Sequence, residues 1–459
     1  MKRITLLLAL AGLLATGCCQ KAAQIIKTDV PPRPAGQENV LGLRTAPMET
    51  VRIGVVGIGS RGSFAVERLT FVPGAEIKAL CDLIPERVEW ANAALERLGK
   101  PQAKTYSGEE ESWKGLCEQE DIDLVYIVTD WLHHVPIALY AMECGKHVAI
   151  EVPAAMTMED IWALINKAEE KRLHCMMLEN CVYDFFEMTT LAMAQEGAFG
   201  EVIHAEGSYQ HNLDPFWDGY WNNWRMDYNQ KHRGDVYPTH GIGPICQVLN
   251  IHRGDRMKSL VSMDTKSFNG IKLMEKRSGE PCTEFANGDQ TCTLISTELG
   301  KTMLIEHDVM TPRPYSRMYQ LVGTEGYASK YPWELYCFRD IPEGPIDAKS
   351  ILEEKVYVGE ELEAVQSGYH NPILTPELKQ LALEVGGHGG MDYIMDYRLI
   401  YCLRNGLPLD MDVYDLAEWC CLGPLSALSL ENGSMPVEIP DFTRGAWNQI
   451  QGFHYALAE

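Results

Sequence analysis

The chain has 459 residues, 46% of them apolar and 23% charged, with a formal net charge of −24. That length and composition suit two or three ordinary globular domains. The acidic excess repels phosphate backbones and anionic lipid headgroups, which argues against nucleic acid as a partner and against a membrane-binding face.

The N-terminus reads as an export signal. Lys2 and Arg3 precede an apolar stretch at residues 4–14 that is too short to span a bilayer. Ala15-Thr16-Gly17-Cys18 places small residues before a cysteine, as in a bacterial lipobox. Residues 1–18 therefore read as a lipoprotein signal peptide with a lipid anchor at Cys18. The competing reading is a plain cleaved signal with an incidental cysteine. The anchor implies a cell-envelope location, on the periplasmic side or at the outer membrane. Residues 19–50, with Pro31-Pro32-Arg33-Pro34 and Ala46-Pro47, read as an extended tether.

From Val51 strands alternate with helices. Strands are predicted at 51–56, 75–81, 124–128, 147–150 and 175–178. Helices are predicted at 63–70, 85–98, 135–144 and 158–171, the last begun by Thr157. Such alternation predicts an α/β fold whose N-terminal domain, residues 51–180, is a Rossmann-type, doubly wound parallel sheet. Residues 181–459 differ in texture. A helix at 186–196 leads into β-rich stretches at 202–209, 291–295, 302–307 and 318–323. An irregular aromatic insertion occupies 216–228, and helices follow at 393–404 and 414–430. This predicts a substrate-binding α/β domain on a mostly antiparallel sheet, a kind of sheet that allows a homodimer. The 14 cysteines include Cys18 and Cys19 at the signal junction and form no Cys-x-x-Cys pair. Several, such as Cys81 and Cys402, sit in apolar runs and read as buried thiols, although one or two disulfides stay open. No metal-ligand spacing is apparent, and no metal is expected.

Gly57-Ile58-Gly59-Ser60-Arg61-Gly62 follows the first strand and opens the first helix. Glycines at this spacing allow a tight turn, close approach to a pyrophosphate and packing of helix on strand. Asp82 ends the second strand, where a carboxylate binds the adenosine ribose and repels a 2′-phosphate, so NAD is favoured over NADP. An envelope compartment has no evident pool to reoxidise a nicotinamide cofactor. An export signal beside this fingerprint thus points to redox-neutral chemistry, with one cofactor restored in every turnover.

Trp131-Leu132-His133-His134 follows the third strand and Glu151-Val152-Pro153 the fourth, both at the carboxyl edge of the sheet. Here the chain resembles the Gfo/Idh/MocA superfamily, whose ordinary members carry Glu-Lys-Pro where this chain has Val152. That lysine commonly serves sugar oxidation, so its absence speaks against a plain dehydrogenase. The chain is most similar to glycoside hydrolase family 109, the NAD-dependent α-N-acetylgalactosaminidases. The similarity runs through Gly59-Ser60-Arg61-Gly62, the Trp131 and Glu151 motifs, Glu179-Asn180 and Tyr237-Pro238-Thr239-His240-Gly241. Pro314-Tyr315-Ser316-Arg317 and Gly389-Gly390-Met391-Asp392 extend it, so that it covers nearly all of residues 50–450.

The resemblance implies hydride removal from C3 of the sugar, elimination across C1–C2, addition of water and return of the hydride. It also implies cofactor contacts from Gly57, Gly59, Ser60, Arg61, Gly62, Asp82, Trp131, His134, Glu151, Val152 and Asn180. His240 becomes the first candidate for a catalytic base, and Tyr237, three residues earlier, shares its face if the segment is helical. Glu151 is assigned to the cofactor ribose or a sugar hydroxyl. Tyr183 is either a second acid or base or a packing residue. Tyr209, Arg225 and Tyr315 are implied sugar contacts, with Tyr319 as the alternative to Tyr315. His388 and Asp392 belong either to the site or to a structural turn. Two further functions stay open: an NAD(P)-dependent sugar dehydrogenase, and a carbohydrate-binding lipoprotein without turnover.

Overall fold

The computed structural model describes residues 24–339 and 355–458. The signal peptide and the Cys18 anchor lie outside the described residues. Six parallel strands form the first sheet: β1 (Val51–Val56), β2 (Ala75–Asp82), β3 (Lys104–Ser107), β4 (Leu124–Ile127), β5 (His147–Ile150) and β6 (Cys175–Met177). Their order is β3-β2-β1-β4-β5-β6. Strands β4, β5 and β6 are buried along their whole length, which is why they read as unbroken apolar runs. The strand order reverses between β1 and β4, and a dinucleotide crevice opens beyond the carboxyl ends of the strands at such a point.

The connecting helices are α1 (Ser60–Leu69), α2 (Pro85–Arg97), α3 (Ser112–Cys117), α4 (Trp131–Glu143) and α5 (Met158–Lys171). Helix α4 starts four residues before the predicted position because the Asp130 side chain accepts the Leu132 N–H and caps it there. Thr157 caps α5 as expected, accepting the N–H of Asp160. Strand β3 and helix α3 escaped prediction. The side chains of β3 are exposed or half-buried, so it carries no apolar alternation.

The second sheet has nine strands in the order β14-β13-β12-β11-β7-β10-β9-β8-β15. They are β7 (Val202–Gln210), β8 (Met257–Asp264), β9 (Thr291–Thr297), β10 (Thr302–Asp308), β11 (Ser316–Gly323), β12 (Gly326–Ser329), β13 (Leu335–Phe338), β14 (Val356–Tyr357) and β15 (Val437–Glu438). Neighbours are antiparallel except β7 and β10, which run parallel from His204↔Thr302 to Gln210↔Asp308. Against this sheet pack α6 (Phe185–Gln195) and α8 (Thr239–Leu249). Helix α8 touches β7 backbone to backbone, since a Cβ on Gly207 would lie 2.1 Å from Gly241 O. That closeness sets the first turn of α8 against the carboxyl end of β7.

The division at residue 180 separates the two sheets but not the layers. The C-terminal helix Met391–Asn405 returns to the first sheet, where Asp396 accepts hydrogen bonds from Arg68 Nε at 2.6 Å and Tyr126 Oη at 2.9 Å. Residues 24–50 are no free tether. Val40 and Leu43 are buried, Arg33 pairs with Glu169 at 3.0 Å, and Ile26 bridges to Val437. The prolines keep this segment extended, and its few apolar side chains fasten it along the body. Among the described residues eight buried cysteines, Cys81 and Cys402 included, are free thiols packed in the core. No helix among the described residues is long and apolar enough to cross a membrane.

Candidate active site

The glycine loop has the form of a phosphate cradle. Gly57 has φ +95°, and a side chain there would meet Val128 O at 2.5 Å. A Cβ on Gly62 would lie 1.9 Å from Gly57 O, so this glycine is required for packing α1 on the loop. Gly59 differs: the nearest atom to its Cβ position is Arg87 Nη1 at 4.0 Å, which leaves the approach to the loop open. Helix α1 starts at Ser60 with no acidic residue in its first turn, so its free N–H groups and dipole favour an anion. The Asp82 carboxylate accepts the N–H groups of Ile58 at 2.6 Å and Ile84 at 2.9 Å and is held facing the loop. These residues fit a nicotinamide dinucleotide.

Arg61 joins the two halves of the chain. It donates to Glu151 Oε1 at 2.9 Å and to Asp392 Oδ2 at 2.9 Å, and lies 3.2 Å from His388 Nδ1. Asp392 Oδ1 in turn accepts Asn180 Nδ2 at 2.6 Å. Burial opposes charge on Asp392, but His388, Arg61 and Arg68 hold its carboxyl far below the usual range. His388 and Asp392 therefore belong to the site's polar network. Val152 is buried, and its carbonyl accepts the Trp131 indole N–H at 3.2 Å. His134 is placed differently from a ligand contact. Its ring is buried, with Nδ1 3.0 Å from Pro153 O and Nε2 3.1 Å from Thr129 O, so the side chain pins the start of α4 to the loop after β5.

The chemical groups converge at the first turn of α8. Tyr237 Oη lies 3.3 Å from His240 Nε2, and His240 Nδ1 lies 2.7 Å from Glu179 Oε1. Glu179 is fully buried just beyond β6. Burial pushes its carboxyl up, but the adjacent His240, with Thr239 and the Cys181 N–H, brings it below the usual carboxylate range. Tyr209 packs against Tyr237 at 4.5 Å and edge-on to His240 at 5.5 Å between ring centroids.

Arg225 comes from α7 (Trp224–Lys231). Its guanidinium lies 4.5 Å from the Tyr237 ring and 5.2 Å from those of Trp131 and Tyr220. It donates to Tyr220 Oη at 2.7 Å, while its Nε is buried without a partner. Among the described residues no carboxylate forms an ion pair with this buried cation.

Tyr315 stands half-exposed at the mouth of the cleft, its hydroxyl accepting from Arg317 at 3.2 Å. Tyr319 is buried against Phe186, so of the two tyrosines only Tyr315 faces the cleft. Tyr183 is a correction. The turn Asn180–Tyr183 sends Asn180 towards Asp392 but Tyr183 into the core, where its hydroxyl donates to Asp410 at 3.1 Å beside Arg398. Its hydroxyl is spent on Asp410 and not on His240, which makes it a packing residue.

Two site residues had no assigned role in the sequence reading. Glu179 stood only as part of a motif, although it ends a strand of the first sheet, where sites in such folds gather. His211 follows Tyr209 by two residues, hence on the same face of an extended chain. Its Nδ1 is 3.0 Å from Tyr209 Oη, and its ring meets Tyr315 edge-on at 5.1 Å. Burial, and then the charges of Arg225, His240 and His388, push it down to about 4, so it is neutral in the cleft at ordinary pH.

The chain is similar to known proteins over most of its length. The NAD-binding Rossmann fold of the Gfo/Idh/MocA oxidoreductase family matches residues 51–179, and the C-terminal domain of glycosyl hydrolase 109 matches residues 183–449. Glycosyl hydrolase family 109 protein 1 of Bacteroides thetaiotaomicron is 61% identical, with all of both chains covered. The family 109 protein of Porphyromonas gingivalis is 61% identical over 95% of this chain and 93% of its own. Among solved structures, a levoglucosan dehydrogenase in complex with NADH has a TM-score of 0.63 at 16% identity, covering 85% of this chain and all of its own. The WlbA dehydrogenase of Bordetella pertussis, with NADH and UDP-GlcNAcA, has a TM-score of 0.62 at 14% identity, covering 86% of this chain and all of its own. These structures share the fold, while the sequence relatives match from end to end: the chain belongs to glycosyl hydrolase family 109, with an NAD-binding domain of the Gfo/Idh/MocA type.

Proposed function

We propose that the protein is an exported, lipid-anchored glycosidase that removes terminal α-linked N-acetylgalactosamine, using an NAD that it keeps and restores. The observation that carries the reading is the meeting of Glu179, His240, Tyr237 and the buried Arg225 beside the dinucleotide crevice. Bound NAD⁺ would supply the hydride acceptor that makes the sugar C3 a ketone, and the donor that reverses this.

The chain's own residues move protons and hold charge. Glu179 accepts the Nδ1–H of His240, which leaves Nε2 to face Tyr237 and the cleft as the basic nitrogen. His240 removes the C2 proton once C3 is a ketone, and Tyr237 extends its reach through the shared hydrogen bond. The electron pair released at C2 expels the C1 substituent, and water then adds at C1 as a proton returns to C2. Arg225 forms no ion pair with a carboxylate among the described residues, so its charge serves the C3 oxygen as that oxygen becomes negative. Val152, where related dehydrogenases carry lysine, supplies no acid or base at that position, which favours redox-neutral turnover over net oxidation.

The envelope location and the Cys18 anchor are proposals supported by residues 2–18 of the sequence, and the preference for NAD over NADP rests on Asp82. The test is p-nitrophenyl α-N-acetylgalactosaminide offered to protein starting at residue 20, with no cofactor added. Steady release of p-nitrophenol is expected. Release only with added NAD⁺, with keto-sugar accumulating, would identify a dehydrogenase instead.

A further inference from the structure

The insertion at residues 216–228 has a use beyond carrying Arg225. Its root is fixed: Trp217 is fully buried, and Arg277 of α9 (Asn269–Ser278) holds Asp218 and also Asn223, the latter at 3.2 Å. Asn222 and Asn223, at φ 50° and 53°, turn the chain and leave Trp221 half-exposed. From this turn the insertion reaches the NAD-binding domain at two points. The Arg87 guanidinium lies over the Trp221 ring at 5.4 Å. Arg87 is in the first turn of α2, with Nη1 3.4 Å from Asp82 Oδ1 and 4.0 Å from where a side chain on Gly59 would begin. At the other point Trp224 and Tyr228 pack edge-on against Trp131, the first residue of α4, at 5.0 and 5.2 Å. Helices α2 and α4 both start at the carboxyl edge of the first sheet. The insertion therefore crosses the dinucleotide crevice from the ribose-binding carboxylate to the aromatic wall of the sugar site.

We infer that Trp221 and Arg87 form a clamp over the adenosine half of the nicotinamide dinucleotide and slow its release between turnovers. The guanidinium cation lies over the Trp221 ring, and a planar guanidinium can also stack on a purine. Aromatic clamping suits an enzyme that restores its own cofactor, because such an enzyme gains nothing from exchanging it. The inference rests on the NAD-linked reading of the site, but retention is measured on the cofactor alone.

The experiment loads the full-length folded protein with NAD⁺, removes free cofactor by gel filtration, and follows bound NAD against time in excess buffer. Trp221→Ala should speed release roughly ten-fold, the size of one such contact, and Arg87→Ala should act in the same direction. Trp221→Phe, which keeps a ring, should stay near the wild-type rate. Trp221 is half-exposed, so its removal leaves no core cavity, and an unchanged melting temperature of the NAD-free variant checks this. A Trp221→Ala protein that releases NAD at the wild-type rate would overturn the clamp. So would a wild type that empties within seconds. A protein that retains NAD by this means but cleaves no glycoside would leave the clamp standing and defeat the glycosidase reading.

Discussion

His240 Nδ1 lies 2.7 Å from a Glu179 carboxylate that is buried from water, and this contact decides which imidazole nitrogen faces the cleft. Glu179→Gln removes the charge and permits the amide to present either an acceptor or a donor to Nδ1. Loss of an orienting carboxylate of this kind lowers turnover by roughly 100-fold or more while leaving substrate binding nearly unchanged. Separate kcat and KM values check it. A rise confined to KM would place Glu179 outside proton transfer.

Tyr183→Phe tests whether Tyr183 packs the core or serves the chemistry. The buried hydroxyl donates to Asp410 in the core. The variant should keep its kcat and lose about 1 kcal/mol of stability, the worth of a buried hydrogen bond. A kcat loss without a change in melting temperature would return Tyr183 to the chemistry.

Gly59→Ala and Gly62→Ala should fail in different ways. A methyl group on Gly59 meets only Arg87 Nη1 at 4.0 Å, so the protein folds but the phosphate approach is obstructed. Its NAD affinity should fall with little change in the melting temperature of the NAD-free protein. A methyl group on Gly62 would overlap Gly57 O, so this variant should lose roughly 3 kcal/mol or more of stability. Thermal melts with and without NAD separate the two outcomes.

Asp235 supplies a pH test. It is fully buried two residues before Tyr237, its Oδ2 has no partner, and burial pushes its carboxyl up to about 7. The folded chain thus keeps a proton that the unfolded chain releases near pH 4. This group's contribution falls as pH rises from about 4 to about 7 and is level above that. Asp235→Asn removes the dependence, so its stability relative to wild type should rise across that window, by a few kcal/mol at most. A difference constant with pH would contradict the assignment.

The sequence was most legible where local rules act alone. β1, β5 and α5 begin and end where the pattern predicts, because apolar runs and the Thr157 cap are local signals. Edge strand β3 was missed for want of apolar side chains, and 24–50 was misread because only tertiary packing tells a strap from a tether. The site followed the same division. Glycine spacing and Asp82 mark the cradle; Tyr237 does meet His240, but from irregular chain two residues before α8 begins and not from a shared helical face. The partners that give them meaning, Glu179 from the chain just after β6 and Arg225 from the insertion, come from distant segments that no spacing rule connects.

The most direct test is hydrolysis of p-nitrophenyl α-N-acetylgalactosaminide in deuterium oxide, with no cofactor added, followed by analysis of the released sugar. Removal and return of the C2 proton predicts deuterium at C2 in the product and loss of turnover in His240→Ala. Release of N-acetylgalactosamine that keeps its original C2 proton, or no release even with NAD⁺ supplied, would contradict the account.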